Sequence, residues 1–135
     1  VRVTPEEILI TSGCQEGVTL CLRALAKAGD TIAVESPTFF GTLQAIESLG
    51  MHALEIPTHP RDGLCLDALE QALMQWPIRA CVVMPTNANP IGSCMREPDR
   101  RSLVELLAQQ SGLQVSNNGG LGRKSLVPTY VAKVF

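Results

Sequence analysis

A short polar segment, Thr11-Ser12-Gly13-Cys14-Gln15, stands between an apolar run and a helical pattern. Gly13 permits a tight turn because it has no Cβ to clash. The amides of Cys14 and Gln15 would then open a helix without intrahelical acceptors. Such amides, together with the helix dipole, form an anion site that phosphate commonly fills. The segment also suits an ordinary turn capped by Ser12, and it matches neither Gly-x-Gly-x-x-Gly nor the P-loop.

Two further loops carry residues that suit a flat, polar ligand. Phe39 and Phe40 follow a predicted strand, where an aromatic side chain can stack on a ring or simply belong to the core. The loop 85–92 reads Pro-Thr-Asn-Ala-Asn-Pro-Ile-Gly, which is compatible with a tight turn. Within that loop Asn89 could donate a hydrogen bond to a phenolate oxygen from a fixed backbone.

Alternating strand and helix patterns position these three loops. Short apolar runs predict strands at 8–10, 31–34, 53–56 and 80–84, with another beginning at 114–115. Helical spacing of apolar residues predicts helices from about residue 14, over 43–49, over 66–76 and from residue 98. Repeated β–α units predict an α/β fold, with a mostly parallel sheet covered by helices on both faces. Ligands of such sheets bind at the carboxyl ends of the strands, which is where the three loops lie.

Composition narrows the class of protein. The 135 residues suffice for one domain, and 45% apolar with 18% charged residues is typical of a soluble globular protein. The net charge of −2 gives no reason to expect nucleic-acid or membrane binding by this chain. Five cysteines without a Cys-x-x-Cys pair indicate reduced thiols in a cytoplasmic protein. We predict no metal site, because His52 and His59 have no ligand-spaced cysteines near them.

Three motifs in register resemble those of a known family. The segments 10–16, 35–41 and 85–92 are similar to consecutive motifs of fold-type I, class I/II aminotransferases, which depend on pyridoxal 5'-phosphate. The residues of these segments are most similar to those of the aminotransferase-like domain of MocR-type regulators in the GntR superfamily. The resemblance implies that residues 1–115 form part of the aminotransferase large domain, a partial three-layer fold with a mostly parallel sheet.

The resemblance also implies roles for individual residues. Gly13, Cys14 and Gln15 would hold the cofactor phosphate, Phe39 would stack on the pyridine ring, and Asn89 would bind the oxygen of the ring hydroxyl. It implies no catalytic residue within this chain.

Several residues depart from the family pattern. Cys14 stands where the family usually has serine, and a thiol is a weaker donor. Asn117 lies about where the family has the aspartate that pairs with the pyridine nitrogen. None of the three lysines, Lys27, Lys124 and Lys133, follows the family's Ser-x-x-Lys pattern. The Schiff-base lysine is therefore expected to be absent from this chain. Whether the protein is an enzyme is left undecided by the sequence.

The last twenty residues differ in composition from the rest. All 13 acidic residues lie between Glu6 and Glu105, whereas 116–135 contains three basic residues and no acidic one. We expect 116–135 to be an atypical tail that is not family sequence, as a frameshift or a truncated gene would produce. The alternative is a divergent but genuine end.

These observations support a functional hypothesis with two alternatives. The chain is expected to be a fragment of a cytoplasmic MocR-type regulator whose cofactor domain senses pyridoxal phosphate or an amino compound. The full-length protein would be a homodimer that binds DNA only through an N-terminal domain absent here, and no membrane contact is expected. The alternatives are a fragment of an aminotransferase acting on amino acids, and an inactive truncated remnant. What precedes Val1 discriminates the first two, because a basic winged helix indicates a regulator and a short arm an enzyme.

Overall fold

Helices and strands alternate along the chain. The structure, a computed structural model, describes residues 4–7, 10–110 and 131–133. A 3-10 turn at Pro5–Glu7 comes first. The helices are α1 (Cys14–Leu25), α2 (Phe40–Ser48), α3 (Leu66–Gln75) and α4 (Glu97–Gln110). The strands are β1 (Thr31–Ser36), β2 (His52–His59), β3 (Gly63–Leu64), β4 (Ile78–Val82) and β5 (Val131–Lys133).

The described strands form one sheet in the order β3-β2-β1-β4-β5. The central strand β1 is parallel to both β2 and β4, while β3 pairs with β2 and β5 pairs with β4 in antiparallel fashion. The predicted α/β fold with a parallel centre is confirmed, and the antiparallel edges are additional. Because the three central strands run the same way, the loops that follow β1 and β4 leave from the same edge of the sheet.

Helices cover both faces of the sheet and make three layers. Side chains of β1 alternate between the faces, so that Ile32 and Val34 meet one helix pair and Ala33 meets the other. The first face packs against α1 and α2 through a buried cluster that includes Val18, Leu22, Ala45 and Ile46. The second packs against α3 and α4 through Leu69, Leu103 and Leu107. Burial on both faces explains the continuous apolar strands.

The sequence predictions for the two ends of the chain have different outcomes. The strand predicted at 8–10 is not supported at Ile10, which lies outside any strand and is 91% exposed, while residues 8 and 9 lie outside the described part. The strand predicted at 114–115 and the boundary at 115/116 also lie outside it. Of the predicted tail only 131–133 is described, and it forms β5. Over the described ranges, no helix is both long and apolar enough to cross a membrane.

Candidate cofactor-binding site

The segment 11–15 forms the turn into α1. Gly13 is the N-cap, with φ +96°, and no side chain caps the helix. The first backbone bond of the helix joins the Gly17 amide to the Gly13 carbonyl at 3.3 Å. The amides of Cys14 and Gln15 precede that bond, so the helix supplies them with no acceptor. These two amides are the donors that the anion site predicted from the sequence would use.

No side chain caps the helix at this turn, where Gly13 is the N-cap residue. The Ser12 amide donates a hydrogen bond to the Glu16 carboxylate, which lies back over the turn. The Thr11 hydroxyl donates to the Gly13 carbonyl at 2.9 Å. No atom lies within 4 Å of the position that a Cβ on Gly13 would take. The open space and the two amides fit a phosphate group.

The side chain of Gln15 connects this turn to the aromatic loop. Its amide nitrogen donates a hydrogen bond to the carbonyl of Gly41, in the first turn of α2. Because the Gln15 side chain is engaged with Gly41, its backbone amide is the group left for an anion. The contact joins two loops that lie 26 residues apart in the chain.

Phe39 and Phe40 stand at the start of α2 in different environments. Phe39 is the N-cap residue and is half-buried, whereas Phe40 is 64% exposed. Their ring centroids lie 4.7 Å apart at an interplanar angle of 55°. The half-buried Phe39 ring remains partly accessible, as a stacking platform needs to be.

The third loop holds Asn89 on a closed backbone. The Ala88 amide donates to the Ser93 carbonyl at 3.0 Å, and the Met95 amide donates to the Pro85 carbonyl at 2.9 Å. Asn89 itself is exposed. The loop is therefore held by its own hydrogen bonds, which leave the Asn89 side chain facing solvent.

Glu35, the first residue of the segment 35–41, is a buried acidic residue for which the sequence predicted no role. Its side chain is only 1% exposed, and its Oε2 accepts the Met84 amide at 2.9 Å. Among the described residues its Oε1 has no hydrogen-bond partner. Burial raises the pKa of Glu35 to about 7, and the Met84 amide only partly opposes that rise. A single acidic residue after the apolar run Ile32–Val34 was the sequence signal for this site.

The three loops are thus linked along one edge of the sheet. Gln15 and Phe39 meet at Gly41, and Glu35 connects the end of β1 to Met84, which follows β4. The hydrogen bonds of the described residues do not join Asn89 to Phe39 or Gln15. A three-layer α/β domain with open donors at the carboxyl ends of its strands defines the general class of ligand-binding α/β proteins.

Comparison with known proteins identifies the family. The sequence matches aminotransferase class I and II over residues 1–118. The chain therefore belongs to the class I and II aminotransferase family, as its three motifs predicted.

Individual relatives include regulators and enzymes. The chain is 42% identical over 104 residues to an uncharacterized HTH-type transcriptional regulator, YjiR, of Escherichia coli, a match that covers 77% of this chain and 22% of the relative. It is 30% identical over 118 residues to a 2-aminoadipate transaminase of Thermus thermophilus, covering 87% of this chain and 30% of that enzyme.

A solved structure supports the same fold. The α-aminoadipate aminotransferase LysN of Thermus thermophilus, in complex with N-(5'-phosphopyridoxyl)-L-leucine, superposes with a TM-score of 0.76 at 32% identity. The superposition covers 82% of this chain and 28% of that structure. The chain thus spans between about a fifth and a third of the length of these relatives.

Proposed function

We propose that the carboxyl edge of the sheet binds pyridoxal 5'-phosphate. The observation that carries the proposal is the open N-terminus of α1, where the amides of Cys14 and Gln15 lack helix acceptors behind Gly13. The Gln15–Gly41 bond ties this anion site to the half-buried Phe39. A phosphate site and an aromatic platform on neighbouring turns suit a phosphorylated flat ring.

Each predicted residue has a distinct task in this proposal. The backbone around Gly13, Cys14 and Gln15 binds the phosphate, Phe39 orients the pyridine ring, and Asn89 holds the oxygen of the ring hydroxyl. Such a cofactor, when bound, supplies an electron sink for charge that develops at the α-carbon of an amino compound. The LysN structure, a relative with a bound phosphopyridoxyl group, supports the assignment.

We further propose that the whole protein is a MocR-type transcriptional regulator. The 42% identity to an HTH-type regulator, against 30% to a transaminase, supports this assignment. The domain would sense pyridoxal phosphate or an amino compound, in a homodimer located in the cytoplasm, and DNA would bind only to a separate N-terminal domain. Residues 1–115 would be the family domain and 116–135 an atypical tail, which is supported by a family match that ends at residue 118.

The alternative function is that of an aminotransferase acting on amino acids. The match to the 2-aminoadipate transaminase favours it, because that match covers 87% of this chain. The reading frame upstream of Val1 separates the two functions. A winged helix-turn-helix segment there supports the regulator, whereas a short arm that leads directly into the domain supports the enzyme.

Cofactor binding is tested by calorimetric titration of the 135-residue chain. Pyridoxamine 5'-phosphate is the suitable probe, because its amine forms no adduct with exposed lysines. Pyridoxamine, which lacks the phosphate, is the matched control. We expect saturable binding of the phosphorylated compound and much weaker binding of the control. Absence of binding, or equal binding of both compounds, would contradict the phosphate site, and absence would favour the inactive remnant.

A further inference from the structure

Gly41 occupies the point where two of the three loops meet. It is the second residue of α2 and is buried. A Cβ built on it would lie 2.4 Å from Cε1 and 3.0 Å from Cζ of Phe39, and 3.1 Å from Nε2 of Gln15. Contacts below 3.0 Å are not tolerated, so any larger residue would displace the Phe39 ring.

The backbone of Gly41 makes a second connection. Its carbonyl accepts the hydrogen bond from the Gln15 side chain, and Gln15 belongs to the turn that opens α1. Gly41 can therefore lie close to the Phe39 ring because it has no side chain. Its carbonyl bonds to Gln15 of the anion-binding turn.

Local helix preference does not account for a glycine here. Alanine is favoured over glycine inside a helix, and Gly41 has no left-handed backbone that would require glycine. Gly17 provides the contrast, because it lies in α1 and a Cβ there would meet only the Thr11 hydroxyl at 3.6 Å, an ordinary contact. The space taken by the Phe39 ring is what distinguishes Gly41.

We propose that Gly41 is a positioning residue that sets the separation between the phosphate-binding turn and the Phe39 ring. The inference rests on the proposed cofactor site and adds a specific determinant of its geometry. Gly41 does not itself touch the ligand. It leaves room for the Phe39 ring close to its Cα, and its carbonyl holds Gln15, so that the turn and the ring keep one spacing.

The test compares Gly41→Ala with Gly17→Ala in the 135-residue chain. Two properties are measured: the affinity for pyridoxamine 5'-phosphate, and the ring resonances of selectively labelled phenylalanine, of which the chain has three. We expect Gly41→Ala to shift the Phe39 ring resonances and to weaken binding roughly tenfold, the order of one lost stacking contact. Gly17→Ala should leave the Phe39 resonances and the affinity unchanged.

A double variant shows whether Gly41 acts through the ring. In a Phe39→Ala background, the further change Gly41→Ala should cost little additional affinity, because the ring that it displaces is gone. An equal loss in both backgrounds would overturn the inference. If Gly41→Ala alone fails to fold, the double variant should recover folding, and its failure to do so would also overturn it.

The two proposals can fail separately. Unmodified chain that does not bind the probe contradicts the cofactor site, yet the ring resonances still report on Gly41 without any ligand. Phe39 resonances that are unaffected by Gly41→Ala overturn the positioning role, whatever the affinity of the unmodified chain.

Discussion

The polar groups at the two edges of the sheet differ in whether they have hydrogen-bond partners. At the amino edge the turns are joined to one another by backbone hydrogen bonds. The Gly29 amide donates to the Gly50 carbonyl at 2.8 Å, and the His52 amide donates to the Asp30 carbonyl at 2.9 Å. The Asp30 carboxylate in turn accepts the Lys27 amide at 2.9 Å. These hydrogen bonds tie the turns of the amino edge to one another.

The carboxyl edge leaves comparable groups open. The amides of Cys14 and Gln15 have no helix acceptor, and among the described residues the buried Oε1 of Glu35 has no partner. Phe40 is largely exposed beside them. The free amides follow from the fold, because the helices of β–α units begin at the carboxyl edge, whereas the buried carboxyl oxygen of Glu35, unpaired among the described residues, does not. In the proposed function, the carboxyl edge is the one that binds a ligand.

The largest expected effect concerns the pH dependence of stability and comes from Glu35, the buried carboxyl group at the carboxyl edge with one oxygen that is unpaired in the described part of the chain. Its pKa of about 7 in the folded chain lies above its ordinary value of 4.5, so folding favours the protonated form. The stability from this proton linkage is fully present below pH 4.5 and is lost as the pH rises to 7, by on the order of 3 kcal/mol. Glu35→Gln should remove this pH dependence, as measured by urea unfolding across that range.

Glu55 supplies the control for that experiment. It lies on the neighbouring strand β2, is exposed, and accepts a hydrogen bond from the Ser36 hydroxyl at 2.6 Å. Glu55→Gln should retain the pH dependence of the unmodified chain. A Glu35→Gln variant that keeps the full pH dependence, or a Glu55→Gln variant that loses it, would contradict burial of Glu35 as the cause.

Two glycines, one at each edge, form a matched pair that distinguishes a loss of stability by backbone strain from a loss of ligand affinity. Gly13 at the carboxyl edge and Gly29 at the amino edge have φ +96° and +88°, and no atom lies within 4 Å of either added Cβ. Alanine at either position should lower the free energy of unfolding by about 1–3 kcal/mol, because a positive φ is strained for a residue with a Cβ and Gly13, with ψ 172°, lies in a region nearly confined to glycine. Only Gly13→Ala should also weaken pyridoxamine 5'-phosphate in calorimetry. Equal affinities of the two variants would remove the distinction between the edges.

Asn89 should affect affinity without affecting stability. Its side chain is exposed in a loop that other residues hold closed, so Asn89→Ala leaves those backbone bonds intact. We expect binding of the probe to weaken about tenfold, the value of one hydrogen bond to a polar ligand. Thr86→Ala, an exposed position in the same loop, should change neither property. A loss of affinity that is the same in both variants would argue against a ring contact by Asn89.

The smallest effect is a gain. Cys14 stands where the resemblance to the family implies a serine, and a hydroxyl is a stronger donor than a thiol. Cys14→Ser should tighten binding of the phosphorylated probe about threefold, within the range of one weak hydrogen bond, and should leave pyridoxamine unaffected. Tighter binding of both compounds would place the effect away from the phosphate.

Sequence patterns predicted the parts of this molecule that depend on neighbours in the chain. The helical spacing of apolar residues predicted a helix from about residue 14, which is α1, and the apolar run at 31–34 predicted a strand, which is β1 and is buried on both faces. The rule for parallel sheets then placed three loops at one edge. Those inferences needed only local periodicity and topology.

Contacts between distant residues were not predictable in that way. The hydrogen bond from Gln15 to Gly41 spans 26 residues, and the bond from Met84 to Glu35 spans 49. Each depends on how helices and strands pack, which a motif does not encode. The pairing of β5 with β4 was missed for the same reason, since three residues with no periodicity gave no signal.

The most direct test of the central claim uses the glycines of both edges as reporters. The backbone amides of isotopically labelled glycine are followed by NMR while pyridoxamine 5'-phosphate is added to the 135-residue chain. The account predicts shifts at the carboxyl edge, for Gly13, Gly41 and Gly92, while Gly29 and Gly50 at the amino edge stay in place. Shifts centred on Gly29 and Gly50, or no shift at any glycine at high probe concentration, would contradict it.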